Sequence, residues 1–169
     1  HKYPARDDDR WLFLPAINMV KRIAAQDKRS SFVGSDFTYE DVSGRDIEDD
    51  NHVIEREEKV GDRDCYVVKS TPKGKDADFG HKLTWVDKAN FLPLKEEQYD
   101  KRGNRYKLFT VEEVMDIKGF PTPIKRTMKN LLTGHRTEVA YVKTDYELGI
   151  DDDLFSERFL RRPPRKWVD

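Results

Sequence analysis

The chain contains 169 residues, of which 38% are charged and 36% hydrophobic, and its formal net charge is −1 at pH 7. This length predicts one domain, residues 1–169, and an apolar fraction below the usual level of about 45–50% predicts a thin core. The balanced charge argues against nucleic acid or an anionic membrane as a partner. Because Cys65 is the only cysteine, an internal disulfide is excluded.

Two short apolar segments near the start of the chain predict a β-hairpin, with strands at residues 10–14 and 19–23 and a turn at Pro15. After a polar stretch, residues 35–42 predict a short helix, because Thr38 and Asp41 have the spacing of an N-terminal capping pair. Phe37 and Tyr39 would pack this helix onto a sheet. No run of residues approaches the roughly 18 apolar positions of a membrane-spanning helix.

From residue 51 to residue 146 the sequence alternates between apolar and polar residues, with turns at regular intervals. A period of two predicts strands with one dry and one solvated face. Because the turns are short and no long helices intervene, the predicted fold class is mainly β with a few short helices, built on a large curved antiparallel sheet. The predicted strands span residues 52–60, 63–70, 81–88, 93–101, 104–116, 122–131 and 135–147.

The dry face of this sheet needs a cover, and the predicted helices are too short to provide it. The face is therefore either a core beneath another segment or the wall of a cavity for an apolar ligand, and the sequence leaves both open. Alternation assigns to this face the candidate ligand-binding residues Trp11, Phe13, Tyr66, Leu83, Trp85, Tyr106, Leu108, Met128 and Tyr141. The candidate lid residues are Phe37, Tyr39, Leu154, Phe155 and Phe159, whose movement would open and close a cavity.

The sequence contains no pattern typical of a catalytic or metal site. The four histidines are far apart, and the acidic runs at 7–9, 49–50 and 151–153 lack the order of a calcium-binding loop, so they are expected to be solvated turns or helix caps. Ser35 is not in a nucleophile elbow. We therefore expect no enzyme activity, no metal and no cofactor. A hydrolase with an unrecognised site is the weakest alternative.

Four segments resemble a known family: residues 7–16 (DDDRWLFLPA), 20–23 (VKRI), 31–41 (SFVGSDFTYED) and the closing 154–160 (LFSERFL). They are similar to segments of the outer-membrane lipoprotein-sorting protein family, which is LolA-like and often found beside RND-type exporters. The resemblance implies a half-open antiparallel barrel of the LolA/LolB-like type with helices as a lid. It also implies an apolar cavity that carries lipid or acylated protein cargo through the periplasm, without catalysis.

The same resemblance implies that the domain lacks the N-terminal part usual in the family. An edge strand at residues 10–14 would then be open, and we expect it to pair with a second copy or another chain. The expected partners are the cargo and an RND-type transporter. The alternative function is a module that docks a transporter or another envelope protein through the same apolar face and carries no lipid.

Overall fold

A computed structural model describes residues 10–74 and 77–167 of the chain. The chain divides into two compact units, one made of His1–Lys28 with Asp145–Asp169 and the other of Arg29–Thr144. The expectation of a single domain stays a prediction. The acidic run at 7–9 lies outside the described residues. Among the described residues, no helix has the length and apolar character needed to cross a membrane.

The elements follow the predicted order along the chain. In sequence they are β1 (Arg10–Leu14), β2 (Met19–Ile23), α1 (Tyr39–Ser43), β3 (Asp50–Val60), β4 (Arg63–Pro72), β5 (His81–Asp87), β6 (Pro93–Tyr99), β7 (Arg105–Ile117), β8 (Phe120–Asn130), β9 (Arg136–Ala140) and α2 (Glu157–Arg161). Short 3₁₀ turns lie at Pro15–Ile17, Ala25–Arg29, Ile47–Asp49, Asp152–Leu154 and Arg165–Trp167.

The first unit contains the predicted hairpin, in which β1 and β2 pair from Arg10 with Ile23 to Leu14 with Met19. Pro15 begins the 3₁₀ turn between the two strands, and Asn18 leaves it in a left-handed conformation with φ 49°. The closing helix α2 packs against this hairpin. Arg161 at its end donates a hydrogen bond to the carbonyl of Asn18 at 3.2 Å. The prediction of the hairpin is confirmed.

The second unit is built on one antiparallel sheet of seven strands, in the order β3-β4-β5-β6-β7-β8-β9. Each strand pairs with its neighbours in the chain, and the edge strands β3 and β9 do not pair with each other, so the sheet is not closed into a barrel. The predicted fold class, a large antiparallel sheet with few short helices, is confirmed. The last strand is shorter than predicted and ends at Ala140. Pro121 and Pro123 remove backbone donors from the part of β8 that a longer β9 would face.

Antiparallel partners share a face and successive residues alternate, so the register defines two faces of the sheet. Val67 pairs with Trp85, and Leu83 pairs with Glu97, which pairs with Leu108; we call their side the core face. Lys107 and Phe109 alternate with Leu108 and therefore lie on the other side. We call that side the α1 face, because the segment of residues 30–49 that contains α1 (the α1 segment) contacts it.

The core face carries a cluster of buried side chains from β4, β5 and β6, which we call the core cluster: Cys65, Val67, Leu83, Trp85 and Leu94. Val60 at the end of β3, and Val111 and Val114 on β7, pack against this cluster. Register shifts interrupt the pairing at several points, including those after Trp85 and after Val111. Such bulges bend strands and increase their twist, which helps the sheet curve.

The α1 segment is tied to the sheet by one aromatic pair and by polar contacts. The rings of Phe37 and Phe109 meet edge to face with centroids 6.4 Å apart. The backbone N–H of Asp36 donates to the hydroxyl of Thr137 at 2.9 Å. Thr38 and Asp41 form the predicted capping box, each accepting a hydrogen bond from the other's backbone N–H, at 3.0 and 2.8 Å. The prediction of a short helix held by this pair is confirmed.

Candidate ligand-binding site

The register divides the predicted ligand-binding residues between the two faces. Leu83, Trp85 and Leu108 lie on the core face, whereas Tyr66 alternates with Val67 and lies on the α1 face. Met128 pairs with Phe109 and so also lies on the α1 face. The expectation that all these residues share one dry face is therefore wrong for Tyr66 and Met128. Ligand binding by the set stays a prediction.

The remaining predicted residues are further apart. Trp11 and Phe13 lie on β1 in the first unit. In the second unit, the hydroxyl of Tyr106 donates to Gln98 at 3.0 Å. Tyr141 follows the end of β9 and is 44% exposed. Its backbone N–H still donates to the carbonyl of Ile124 at 2.9 Å.

The predicted lid residues also belong to two different places. Phe37 is buried against the sheet, and Tyr39 in α1 meets Phe32 edge to face with centroids 5.3 Å apart. Leu154, Phe155 and Phe159 belong to the first unit, where Phe155 is largely exposed. Movement of either segment stays a prediction.

The core cluster is tightly buried, and Trp85 at its centre is only 2% exposed. Two cations lie near the indole ring: Lys95 Nζ is 3.9 Å, and the guanidinium carbon of Arg56 5.7 Å, from its centroid. Burial raises the pKa of the neighbouring Cys65 thiol, and the charge of Asp87 adds to this effect. The thiol therefore stays protonated, which suits a small buried side chain and not a nucleophile.

The core face also carries a buried charged group, Glu97, which lies between Leu83 and Leu108. Its carboxylate accepts hydrogen bonds from Lys95 at 2.8 Å, Arg105 at 2.7 Å and the Tyr99 hydroxyl at 2.6 Å. Burial raises the pKa of Glu97, but the hydrogen bonds from Lys95 and Tyr99 outweigh burial and the pKa is lowered. Glu97 is therefore ionised at neutral pH, although it is buried. Sequence reasoning missed this group because charged residues on strands were assigned to the solvated face.

A second buried polar group joins the α1 segment to the sheet. Asp41 accepts a hydrogen bond from Lys107 Nζ at 3.0 Å, and Gln98 Nε2 lies 3.5 Å from its other oxygen. Burial raises the pKa of Asp41, but the charge of Lys107 and the hydrogen bond from Thr38 outweigh it, and the pKa is lowered. For Tyr106, burial and the charge of Asp41 both raise the pKa.

A groove of about 400 Å³ opens beside the core cluster, between the β3–β4 turn and β7. In a flat sheet β3 and β7 would be about 19 Å apart, at a strand spacing of ~4.8 Å, so one groove that touches both requires a curved sheet. The volume falls within the range of about 300–1,000 Å³ that is usual for small-molecule sites. The lining residues are Val60, Gly61, Asp62, Arg63, Leu94, Val111, Glu112, Glu113 and Val114.

The apolar floor of this groove is continuous with the protein core, because Leu94 belongs to the core cluster and Val60, Val111 and Val114 pack against it. Sequence reasoning did not find these residues. No local signal marks them, since their approach depends on the curvature of the sheet.

Arg126 on β8 alternates with Thr127 and shares the α1 face with Met128. It pairs with Val111 of β7 on one side and with Val139 of β9 on the other. Its guanidinium donates to the hydroxyl of Tyr141, and its carbon lies 5.0 Å from the centroid of the Tyr141 ring. Its Nε is buried and has no hydrogen-bond partner among the described residues. Within the same described part of the chain, no group of three or more His, Cys, Asp or Glu residues has the arrangement of a metal site.

Comparison with known proteins identifies the family. A model of a family described only as uncharacterized protein-like matches residues 1–162. A solved domain assigned to an outer membrane lipoprotein-sorting protein from Vibrio parahaemolyticus shares 32% identity and a TM-score of 0.84, covering 93% of this chain and 67% of that one. The chain belongs to this lipoprotein-sorting family. The predicted family resemblance is thereby confirmed.

Two further solved structures resemble this lipoprotein-sorting family member. A DUF1329 family protein from Desulfovibrio piger shares 30% identity and a TM-score of 0.83, covering 92% of this chain and 65% of that chain. A LolA superfamily protein from Nitrosomonas europaea shares 24% identity and a TM-score of 0.63, and the match covers 89% of this chain and 67% of that chain. At this identity the likeness shows a shared fold and no shared function. The chain spans about two thirds of the length of all three proteins. A comparison with curated proteins finds no match.

Proposed function

We propose that this protein is a periplasmic, non-catalytic carrier that binds lipidic or lipoprotein acyl cargo in the groove beside the core cluster. The observation that carries the proposal is the continuity between groove and core: Leu94, Val60 and Val111 contribute to both. An apolar chain laid along them would exchange water contact for contact with the core. The likeness to a lipoprotein-sorting domain supports the same role.

Burial would supply the binding energy. Each Å² of apolar surface removed from water contributes about 25 cal/mol. The rim residues Asp62, Arg63, Glu112 and Glu113 keep the mouth of the groove polar. An unclosed sheet with such a groove would let cargo enter and leave without a covalent step. Transfer from an envelope donor to an outer-membrane acceptor would need only a difference in affinity between the carriers.

The test is native mass spectrometry of the purified protein, followed by organic extraction and lipid analysis. A stoichiometric lipid released on unfolding supports the carrier. The variant Val114→Asp would place a charge in the groove wall and should weaken binding of added dodecanol at least tenfold. Val142→Asp is the matched control, because Val142 is fully exposed and does not line the groove. Equal binding by both variants would exclude the groove as the cargo site.

A second candidate function is docking of a protein partner, such as the periplasmic part of an RND-type transporter or a second copy. The open edge strand β3 favours it, since Val53 and Ile54 there are 62% and 59% exposed. Partner strands add readily to such edges. Two results together would support docking in place of lipid transport: the wild-type protein binds no lipid, and the variant Ile54→Lys no longer forms a complex with the partner.

A further inference from the structure

Charged side chains of both signs stand on the two walls of the groove. The wall formed by the β3–β4 turn carries Asp62 and Arg63, and the wall formed by β7 carries Glu112 and Glu113. The floor of the same groove is apolar and continues into the core cluster. A groove of this kind suits a molecule with an apolar tail and a charged head group.

Arg63 is a cation held in place at the mouth of the groove. Its Nη1 donates to Asp87 Oδ2 at 2.7 Å, and Asp87 is only 2% exposed. Burial raises the pKa of Asp87, but the hydrogen bonds from the Ala89 N–H and from Arg63 outweigh burial, and the pKa is lowered. The carboxylate is therefore ionised at neutral pH and fixes the guanidinium.

One edge of the Arg63 guanidinium is available to a ligand. The side chain is 41% exposed, and its Nε–H and Nη2 groups have no hydrogen-bond partner among the described residues. These groups form the planar edge of a guanidinium that binds two oxygens of a phosphate in bidentate fashion. Arg63 thus has the chemistry to bind a phosphate at the groove.

Glu112 lines the groove because β7 is irregular there. In a regular strand, successive side chains point to opposite faces. Here the four consecutive residues 111–114 line the groove, and the pairing with β8 shifts after Val111 and again after Glu113. Bulges of this kind redirect side chains and are common beside active sites. The Thr110 hydroxyl donates to Glu112 Oε1 at 2.6 Å, and Oε2 has no hydrogen-bond partner in the described part of the chain.

The charges at the mouth of the groove favour one kind of head group. Three carboxylates face the single guanidinium of Arg63, and Lys125, which pairs with Glu113 in the sheet, offsets only one of them. A head group with negative charge alone would be repelled by Asp62 and Glu112. A head group with both a phosphate and an ammonium can place each charge beside its opposite.

We propose that the groove selects an amphiphile with a zwitterionic head group, such as a phospholipid that carries both a phosphate and an ammonium. The Nε–H and Nη2–H of Arg63 donate to two phosphate oxygens, and the Glu112 carboxylate pairs with the ammonium. The apolar tail lies on Leu94 and Val111. This inference rests on the carrier function proposed above and adds the class of head group.

Isothermal titration calorimetry tests the proposal with four probes that share one tail: dodecylphosphocholine, dodecyl phosphate, dodecyltrimethylammonium and dodecanol. Dodecylphosphocholine should bind about tenfold or more tightly than each of the other three, because only its head group engages both walls. Phosphocholine without a tail should bind at least about tenfold more weakly than dodecylphosphocholine, because it buries no apolar surface on the floor of the groove.

Substitutions at the two walls test the assigned contacts. Arg63→Met and Glu112→Gln should each weaken dodecylphosphocholine binding about fivefold or more and leave dodecanol binding unchanged. Arg63→Lys should keep part of the preference, because it keeps the charge and loses the bidentate edge. Arg136→Met and Glu138→Gln are the matched controls, since these two residues form an exposed ion pair on β9 outside the groove.

Thermal unfolding of each variant shows whether it is folded. Arg63→Met removes a partner of the buried Asp87 carboxylate, so Glu112→Gln provides the test if that variant does not fold. Glu112 is exposed, and its replacement by Gln keeps the size of the side chain.

The outcomes separate the two proposals. If dodecanol binds and dodecylphosphocholine binds no better, the head-group assignment is wrong and the carrier proposal remains. If dodecyltrimethylammonium binds as tightly as dodecylphosphocholine, Arg63 does not bind the phosphate and the zwitterionic assignment fails. A preference for dodecylphosphocholine that survives in both Arg63→Met and Glu112→Gln would also overturn it. If no probe binds at all, both proposals fail.

Discussion

The two faces of the seven-stranded sheet are covered by different chemistry. On the core face, Val67, Trp85 and their neighbours pack apolar surface from adjacent strands into one cluster. On the α1 face, the α1 segment is held by Asp41, Lys107 and other polar groups, with the Phe37–Phe109 pair as its main aromatic contact. The difference teaches that the core cluster and the α1 segment respond to different conditions. Apolar packing within the core cluster is indifferent to pH, whereas the Asp41–Lys107 ion pair is not.

The largest expected effect comes from removing the centre of the core cluster. Trp85→Ala should lower the free energy of unfolding by about 3–5 kcal/mol, because a large buried ring is lost and a cavity remains. Urea unfolding followed by circular dichroism measures it. Phe91→Ala is the control, since Phe91 is 72% exposed and should change stability by less than ~0.5 kcal/mol. Similar losses in the two variants would mean that the core cluster does not carry the stability of the sheet.

A smaller effect is expected on the α1 face. Asp41→Ala should cost about 3 kcal/mol, because Lys107 is only 9% exposed and would lose its carboxylate partner. Adding Lys107→Met to that variant should restore part of the loss, and the double-mutant cycle measures the coupling. For comparison, Arg136→Ala breaks an exposed ion pair and should cost no more than ~1 kcal/mol. A coupling near zero between Asp41 and Lys107 would contradict the assignment of this pair as the main polar attachment.

The smallest effect is a dependence on pH. In the folded protein the pKa of Asp41 is lowered from its ordinary value of 3.8, so the carboxylate stabilises the fold fully above that value. The contribution is lost as the pH falls from there through the lower folded pKa, where Asp41 takes up a proton. The free energy of unfolding of the wild type should therefore fall more steeply below about pH 4 than that of Asp41→Asn. Parallel curves for the two proteins from pH 7 to 3 would show that Asp41 makes no such contribution.

The fold was largely predictable from the sequence, because strands separated by short turns leave a clear alternation. Thr38 and Asp41 marked the start of α1 by their spacing alone. The sidedness of Tyr66 and Met128 was not predictable, since a period of two shows that neighbours alternate but not which face they take. Glu97 and Lys107 made the alternation of apolar and polar residues harder to interpret, because both are charged and would be expected in solvent, yet both are buried.

The candidate site was predictable only in part. Of the predicted ligand-binding residues, Tyr141 does not line the groove, and ligand binding by it stays a prediction. The groove depends on Val60 and Val111, which come together only through the curvature of the sheet. The curvature arises from bulges such as the one after Val111, and no residue type in the sequence predicts where such a bulge occurs.

The order of the strands in the sheet has a consequence for how the protein folds. Each strand pairs with its neighbour in the chain, so the sheet closes only short loops, whereas Asp41 contacts a residue 66 positions away and Asp36 one 101 positions away. Short loops close at a smaller entropic cost, so we expect the sheet to form first and the α1 segment to dock last. The instability of Asp41→Ala would then appear as faster unfolding, with the folding rate unchanged.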